Sequence, residues 1–129
     1  MPALPELPDL CATLAQRVNA DPWLLNRGRL VDAVVLLEAG ATNYLVDIRR
    51  GRIESVTRGP FVMPRWDFAL RASEEEWRAF WQPSPPPGHH DLFAMIKRRT
   101  LRVEGDLHPF MSNLFYFKGV LAAPRADAH

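Results

Sequence analysis

The chain has 129 residues, enough for one domain with its own core and no need of a metal or disulfide brace. Its 47% hydrophobic and 24% charged content is that of a folded globular protein, and a formal net charge of +1 gives no general attraction for nucleic acid. A single cysteine excludes an internal disulfide, the opening MPALPELPDL lacks the basic region and apolar core of a signal peptide, and no apolar run nears the roughly 20 residues of a membrane span.

These features predict one domain over 1–129 in a cytoplasmic protein, with an irregular proline-bearing arm at 1–8 and a flexible tail at 122–129. Asp9 is a candidate N-cap for a first helix with Leu10, Leu14 and Val18 on its apolar face, where Cys11 reads as a small buried hydrophobe and Asp21-Pro22 as the stop. VVLLEAG reads as a strand, and TNYLVDIRRGRIESVTRG as two more joined by a tight turn at Arg49-Arg50-Gly51-Arg52. In the first of these two, Tyr44, Val46 and Ile48 alternate with Asn43, Leu45 and Asp47, the period of a sheet with a core side and a wetter side. A fourth strand follows in which Trp66, Phe68 and Leu70 alternate with Asp67, Ala69 and Arg71, and the short connections predict an antiparallel meander.

Ser73 and Glu76 form a capping-box pattern for a helix that buries Trp77, Phe80 and Trp81 and stops before Pro83. PSPPPG then makes a stiff spacer, and Asp91 caps a further helix with Leu92, Met95 and Ile96 on its face, Phe93 to one side and Lys97-Arg98-Arg99 at its end. Leu101 to Glu104 reads as a fifth strand, broken at Gly105-Asp106. Last comes a single aromatic helix with Phe110, Leu114, Phe117 and Leu121 in one stripe, widened by Met111 and Phe115. So wide an apolar surface calls for a second protein layer or an apolar ligand. The order predicts an α+β domain with helices gathered on one side of a five-stranded, mainly antiparallel sheet.

Three segments, YLVDIRRGRIESVTRG, WDFALRASEEEWRAFW and LRVEGDLHPFMSNLF, together resemble the sterol carrier protein type 2 family of non-specific lipid-transfer domains over roughly residues 30–122. The resemblance covers a strand, glycine turn and strand, then a strand leading into a capped helix, then a strand ending in Gly-Asp before the final helix. The chain departs from the family where Lys97-Arg98-Arg99-Thr100 replaces a closing glycine, and in its proline spacer. The resemblance implies a twisted sheet covered by helices and enclosing an apolar tunnel for fatty acyl chains, acyl-CoA or sterols, with no catalytic residues. Candidate lining residues are Phe68, Leu70, Phe80, Trp81, Phe93, Ile96, Phe110, Leu114 and Phe117.

No GxSxG, HExxH or phosphate-loop pattern occurs, so no cofactor or metal is expected. His89-His90 lacks metal-pair spacing and reads as solvated loop. His108 reads as the N-cap before Pro109, with Asp106 helping to satisfy the exposed amides. The basic groups at Arg49, Arg50, Arg52 and at Lys97 to Arg99 could meet a phosphate or a membrane surface, and without interleaved aromatics they give nucleic acid little support. Expected partners are therefore a lipid or other long apolar molecule, a transient membrane contact, and a second copy or an enzyme. Two alternatives stand beside a lipid carrier. One is a small enzyme of the ketosteroid-isomerase type, which needs a buried carboxylate. The other is an accessory subunit that docks through its aromatic C-terminal helix.

Overall fold

The computed structural model describes residues 9–82, 85–89 and 91–125, so the expected arm at 1–8, part of the proline spacer and His90 lie outside the described residues. Helix α1 (Leu10–Asn19) starts as its cap dictates, with the Asp9 carboxylate accepting the Ala12 amide at 3.3 Å. Leu10, Leu14 and Val18 are buried along one stripe, whereas Cys11, a step round the helix, is exposed, which corrects its reading as a buried hydrophobe. Asp21-Pro22 ends α1 and also opens a second helix, α2 (Pro22–Arg27), which was not predicted. The Asp21 carboxylate accepts the Trp23 and Leu24 amides at 3.0 and 3.3 Å, and proline at the first position has no donor to satisfy.

The sheet contains β1 (Ala33–Ala39), β2 (Thr42–Arg49), β3 (Arg52–Arg58), β4 (Phe68–Ala72) and β5 (Leu101–Gly105), in the order β3-β2-β1-β4-β5. The first three form the expected meander, and their second turn puts Arg50 and Gly51 at φ of 51° and 79°, the left-handed pair that suits strand twist. The fourth strand corrects the meander. It crosses back to lie parallel to β1, with Leu37 opposite Leu70, and β5 pairs antiparallel on its far side. The sheet is thus mixed but mainly antiparallel.

Val35, Leu37, Val46, Ile48, Phe68 and Leu70 share one core cluster with the buried faces of the helices, which places those helices on one side. Leu36 and Ala69 point to the other side and are buried there, outside that cluster. On that same side Arg71 bridges Glu38 at 3.1 Å and Glu104 at 2.9 Å. The edge strand β3 is covered by α1, where the Asn19 amide exchanges hydrogen bonds with both Ile53 backbone groups at 3.0 and 2.8 Å.

Helix α3 (Glu74–Phe80) is capped by the Ser73 hydroxyl, which accepts the Glu76 amide at 3.2 Å. The other half of the capping box is not made, because the Glu76 carboxylate meets His89 instead, at 2.6 Å. The Trp77 and Trp81 indoles stack, and each donates to a carbonyl at 2.7 Å, to Glu38 and Leu121 respectively. Helix α4 (Leu92–Lys97) starts on Asp91 and ends where Arg99 takes φ of 64°, a conformation glycine adopts more cheaply. The predicted aromatic helix is two helices, α5 (His108–Ser112) and α6 (Leu114–Ala122), broken at Asn113, whose side chain donates to the Pro109 carbonyl at 3.0 Å. The N-cap of α5 is Leu107 rather than His108, while Asp106 accepts the His108 amide as expected. Where a flexible tail was expected from residue 122, Ala122 closes α6 and Arg125 donates to the Phe80 carbonyl at 2.9 Å; residues 126–129 lie outside the described residues. Among the described residues no helix is long and apolar enough to cross a membrane.

Candidate functional site

The break at Asn113 determines what α6 presents. A continuous helix would carry the stripe Phe110, Leu114, Phe117 and Leu121 inward. After the break Tyr116, Phe117, Val120 and Leu121 are buried, Leu114 is half-buried and Phe115 turns outward. Tyr116 slides under the end of α2, and a Cβ on Gly28 would overlap its ring, so the glycine permits the approach. The Tyr116 hydroxyl donates to the Gly51 carbonyl at 2.6 Å, tying α2, the β2–β3 turn and α6 together. Burial pushes this phenol well above its ordinary pKa.

Between α2 and the α5–α6 elbow lies a cleft of about 410 Å³. One wall holds Trp23, Asn26, Arg27 and Arg29; the other runs from Ser112 to Tyr116. Its lining carries two arginines and no carboxylate, so its field is positive. Leu114 lines this cleft and also packs against the core cluster. Behind it the Phe68, Phe110 and Phe117 rings pack with centroids 5.2–5.9 Å apart.

Six of the nine predicted lining residues, Phe68, Leu70, Phe80, Trp81, Phe110 and Phe117, are fully buried among other side chains. Phe80 and Trp81 belong to a second aromatic group with Trp77, where Trp81 also holds the end of α6. Ile96 is half-buried against the core, and Phe93 is partly exposed beside Lys118. The structure therefore unites Phe68, Phe110, Leu114 and Phe117 around the elbow. Trp23, Asn26 and Arg27 went unnoticed in the sequence. The signal for all three was present, as an Asp-Pro start and a glycine end bracketing a short helix.

Two further clefts hold less promise. In the larger, of about 540 Å³, Asp67 accepts the Val34 amide at 2.7 Å and Asp32 accepts the Arg50 amide at 2.8 Å, so both carboxylates brace strand ends. The smaller, of about 250 Å³, is lined by Arg71, Arg99 and Arg102 on the far side of the sheet. His89 is buried rather than solvated, and His108 is exposed beside Ser112. Among the described residues no cluster of three His, Cys, Asp or Glu could hold a metal ion.

No family model matches the sequence, and no curated protein matches it. In three dimensions the chain superposes on sterol carrier protein 2 with a TM-score of 0.75, over 94% of this chain and 97% of that one, at 11% identity. The chain has the sterol carrier protein 2 fold. A Thermus thermophilus protein described as possibly a sterol carrier protein matches with a TM-score of 0.66 at 9% identity, over 100% of this chain and 96% of its own. A UbiJ-SCP2 ubiquinone synthesis protein matches with a TM-score of 0.56 at 18% identity, over 86% and 88% of the two chains. On this sterol carrier protein 2 fold, the aromatic interior and the arginine-lined cleft meet at Leu114.

Proposed function

We propose that the chain is a non-enzymatic carrier of an amphiphilic lipid: a fatty acid, an acyl-CoA or a sterol-like molecule. In this reading the polar head sits in the cleft, where Arg27 and Arg29 suit a carboxylate or phosphate. The apolar tail passes Leu114 and parts the rings of Phe68, Phe110 and Phe117, with Leu70 and Ile96 beyond them. Phe80, Trp81 and Phe93 complete the wall that the sequence suggests. Entry uses the elbow at Asn113, where α6 starts without a side-chain cap. Removing alkyl surface from water drives it, at about 25 cal/mol per Å².

The observation that carries this reading is the position of Leu114, continuous with both a polar, positive cleft and the aromatic core. The likeness to sterol carrier protein 2 supports it. The enzyme alternative finds less support, since Asp47 pairs with Arg49 at the surface and Asp67 braces a strand. Exposed Phe115 favours the docking-subunit alternative, which needs no ligand.

Leu114→Arg separates these. Displacement of a fluorescent fatty acid is expected to be lost in the variant while its circular dichroism stays native. Unaltered displacement would place Leu114 outside the ligand path, and global unfolding would place it in the packed core instead of a tunnel.

A further inference from the structure

Five side chains from α2, α4 and α6 form a continuous alternation of ring and cation. The Arg27 guanidinium lies 4.6 Å from the Trp23 ring centre and 5.6 Å from that of Phe115. The Lys118 ammonium lies 6.0 Å from Phe115 and 5.2 Å from Phe93. These rings face water: Trp23 is 65%, Phe115 70% and Phe93 38% exposed. Leu30 and Met111, each next in sequence to a residue of the cleft wall, are 87% and 55% exposed. Asp91, 3.9 Å from Lys118, caps α4, and Asp21, which accepts the Trp23 amide at 3.0 Å, caps α2, so two acids committed to helix starts meet the strip.

We propose that this face docks on an anionic lipid bilayer. Rings with exposed edges settle at the boundary between headgroups and acyl chains, aliphatic Leu30 and Met111 enter beside them, and Arg27, Arg29 and Lys118 take the lipid phosphates. Charge complementarity selects this occupant. A second copy meeting the same face would oppose like cations across a two-fold axis. Single-stranded nucleic acid would use ring and cation, yet Leu30 and Met111 would have no base to stack on, and the chain's net charge is +1. Docking does not require the cargo proposed above. If both hold, the cleft, which shares Trp23, Arg27 and Phe115 with the strip, opens on the bilayer.

The test is co-sedimentation of the full chain with phosphatidylcholine vesicles, with and without phosphatidylserine. Binding is expected with phosphatidylserine and should weaken as salt rises. The double variants Trp23→Ser/Phe115→Ser and Arg27→Glu/Lys118→Glu should each bind at least about tenfold more weakly with native circular dichroism. Arg102→Glu, on the far side of the sheet, should bind as the parent does. Absence of vesicle binding, equal binding by the strip variants, or a dimer or oligonucleotide complex that those variants abolish in its place would overturn the docking. Absence of vesicle binding by the unaltered chain, with its fatty-acid displacement intact, would do so and leave the carrier reading standing.

Discussion

Replacing Tyr116 by phenylalanine removes one oxygen atom from the point where α2, the β2–β3 turn and α6 converge. The lost hydrogen bond to the Gly51 carbonyl is short, at 2.6 Å, and buried. A carbonyl left without its partner there costs about 2 kcal/mol. With an unfolding entropy of about 2.1 cal/mol/K per residue over 129 residues, that lowers Tm by roughly 7 °C. The pH dependence is the sharper signature. Burial raises the folded phenol above its ordinary 10.0, so above that pH the unfolded chain ionises Tyr116 while the folded chain keeps it neutral. The wild type is fully stabilised by this group below pH 10 and loses that stabilisation as pH rises toward the folded value. The variant has no phenol there. Tyr44, the other tyrosine, is raised too but is common to both proteins and cancels in the difference. Urea midpoints of the two proteins should therefore differ most near neutral pH and converge toward about pH 11. A gap that stays constant or widens, or no loss at neutral pH, would refute the assignment.

Other substitutions probe the same architecture. Gly28→Ala should destabilise by about 1–3 kcal/mol in thermal unfolding, because its methyl group must displace the Tyr116 ring. Arg99→Gly should stabilise by about 0.5–1 kcal/mol, since glycine holds the positive φ at the end of α4 without a Cβ. Cys11 should react fully with a water-soluble disulfide reagent in the native state, with little acceleration by denaturant. A slow, unfolding-limited reaction would mean that α1 is rotated from the position described.

What the sequence disclosed was local. Asp9, Ser73 and Asp91 cap helices because a side-chain oxygen three residues before an amide is a purely local device. The alternation of Tyr44, Val46 and Ile48 places them inward for the same reason. Strand partners are not local, and nothing in FALRA says that it lies parallel to β1 rather than beyond β3. The α2 helix was hidden because Asp21-Pro22 stops one helix and starts the next with the same two residues. Missing α2 meant missing Trp23 and Arg27, and with them one wall of the cleft. The break at Asn113 was equally obscure, since Phe110, Leu114, Phe117 and Leu121 keep helical spacing straight through it.

Whether this fold carries a lipid is read from native mass spectrometry of the purified protein, followed by solvent extraction and lipid analysis. A lipid carrier gives a stable adduct of acyl-chain or sterol mass, which the Leu114→Arg variant lacks. A bare protein mass, together with no displacement of a fluorescent fatty acid, would contradict it and favour a docking subunit with a filled core.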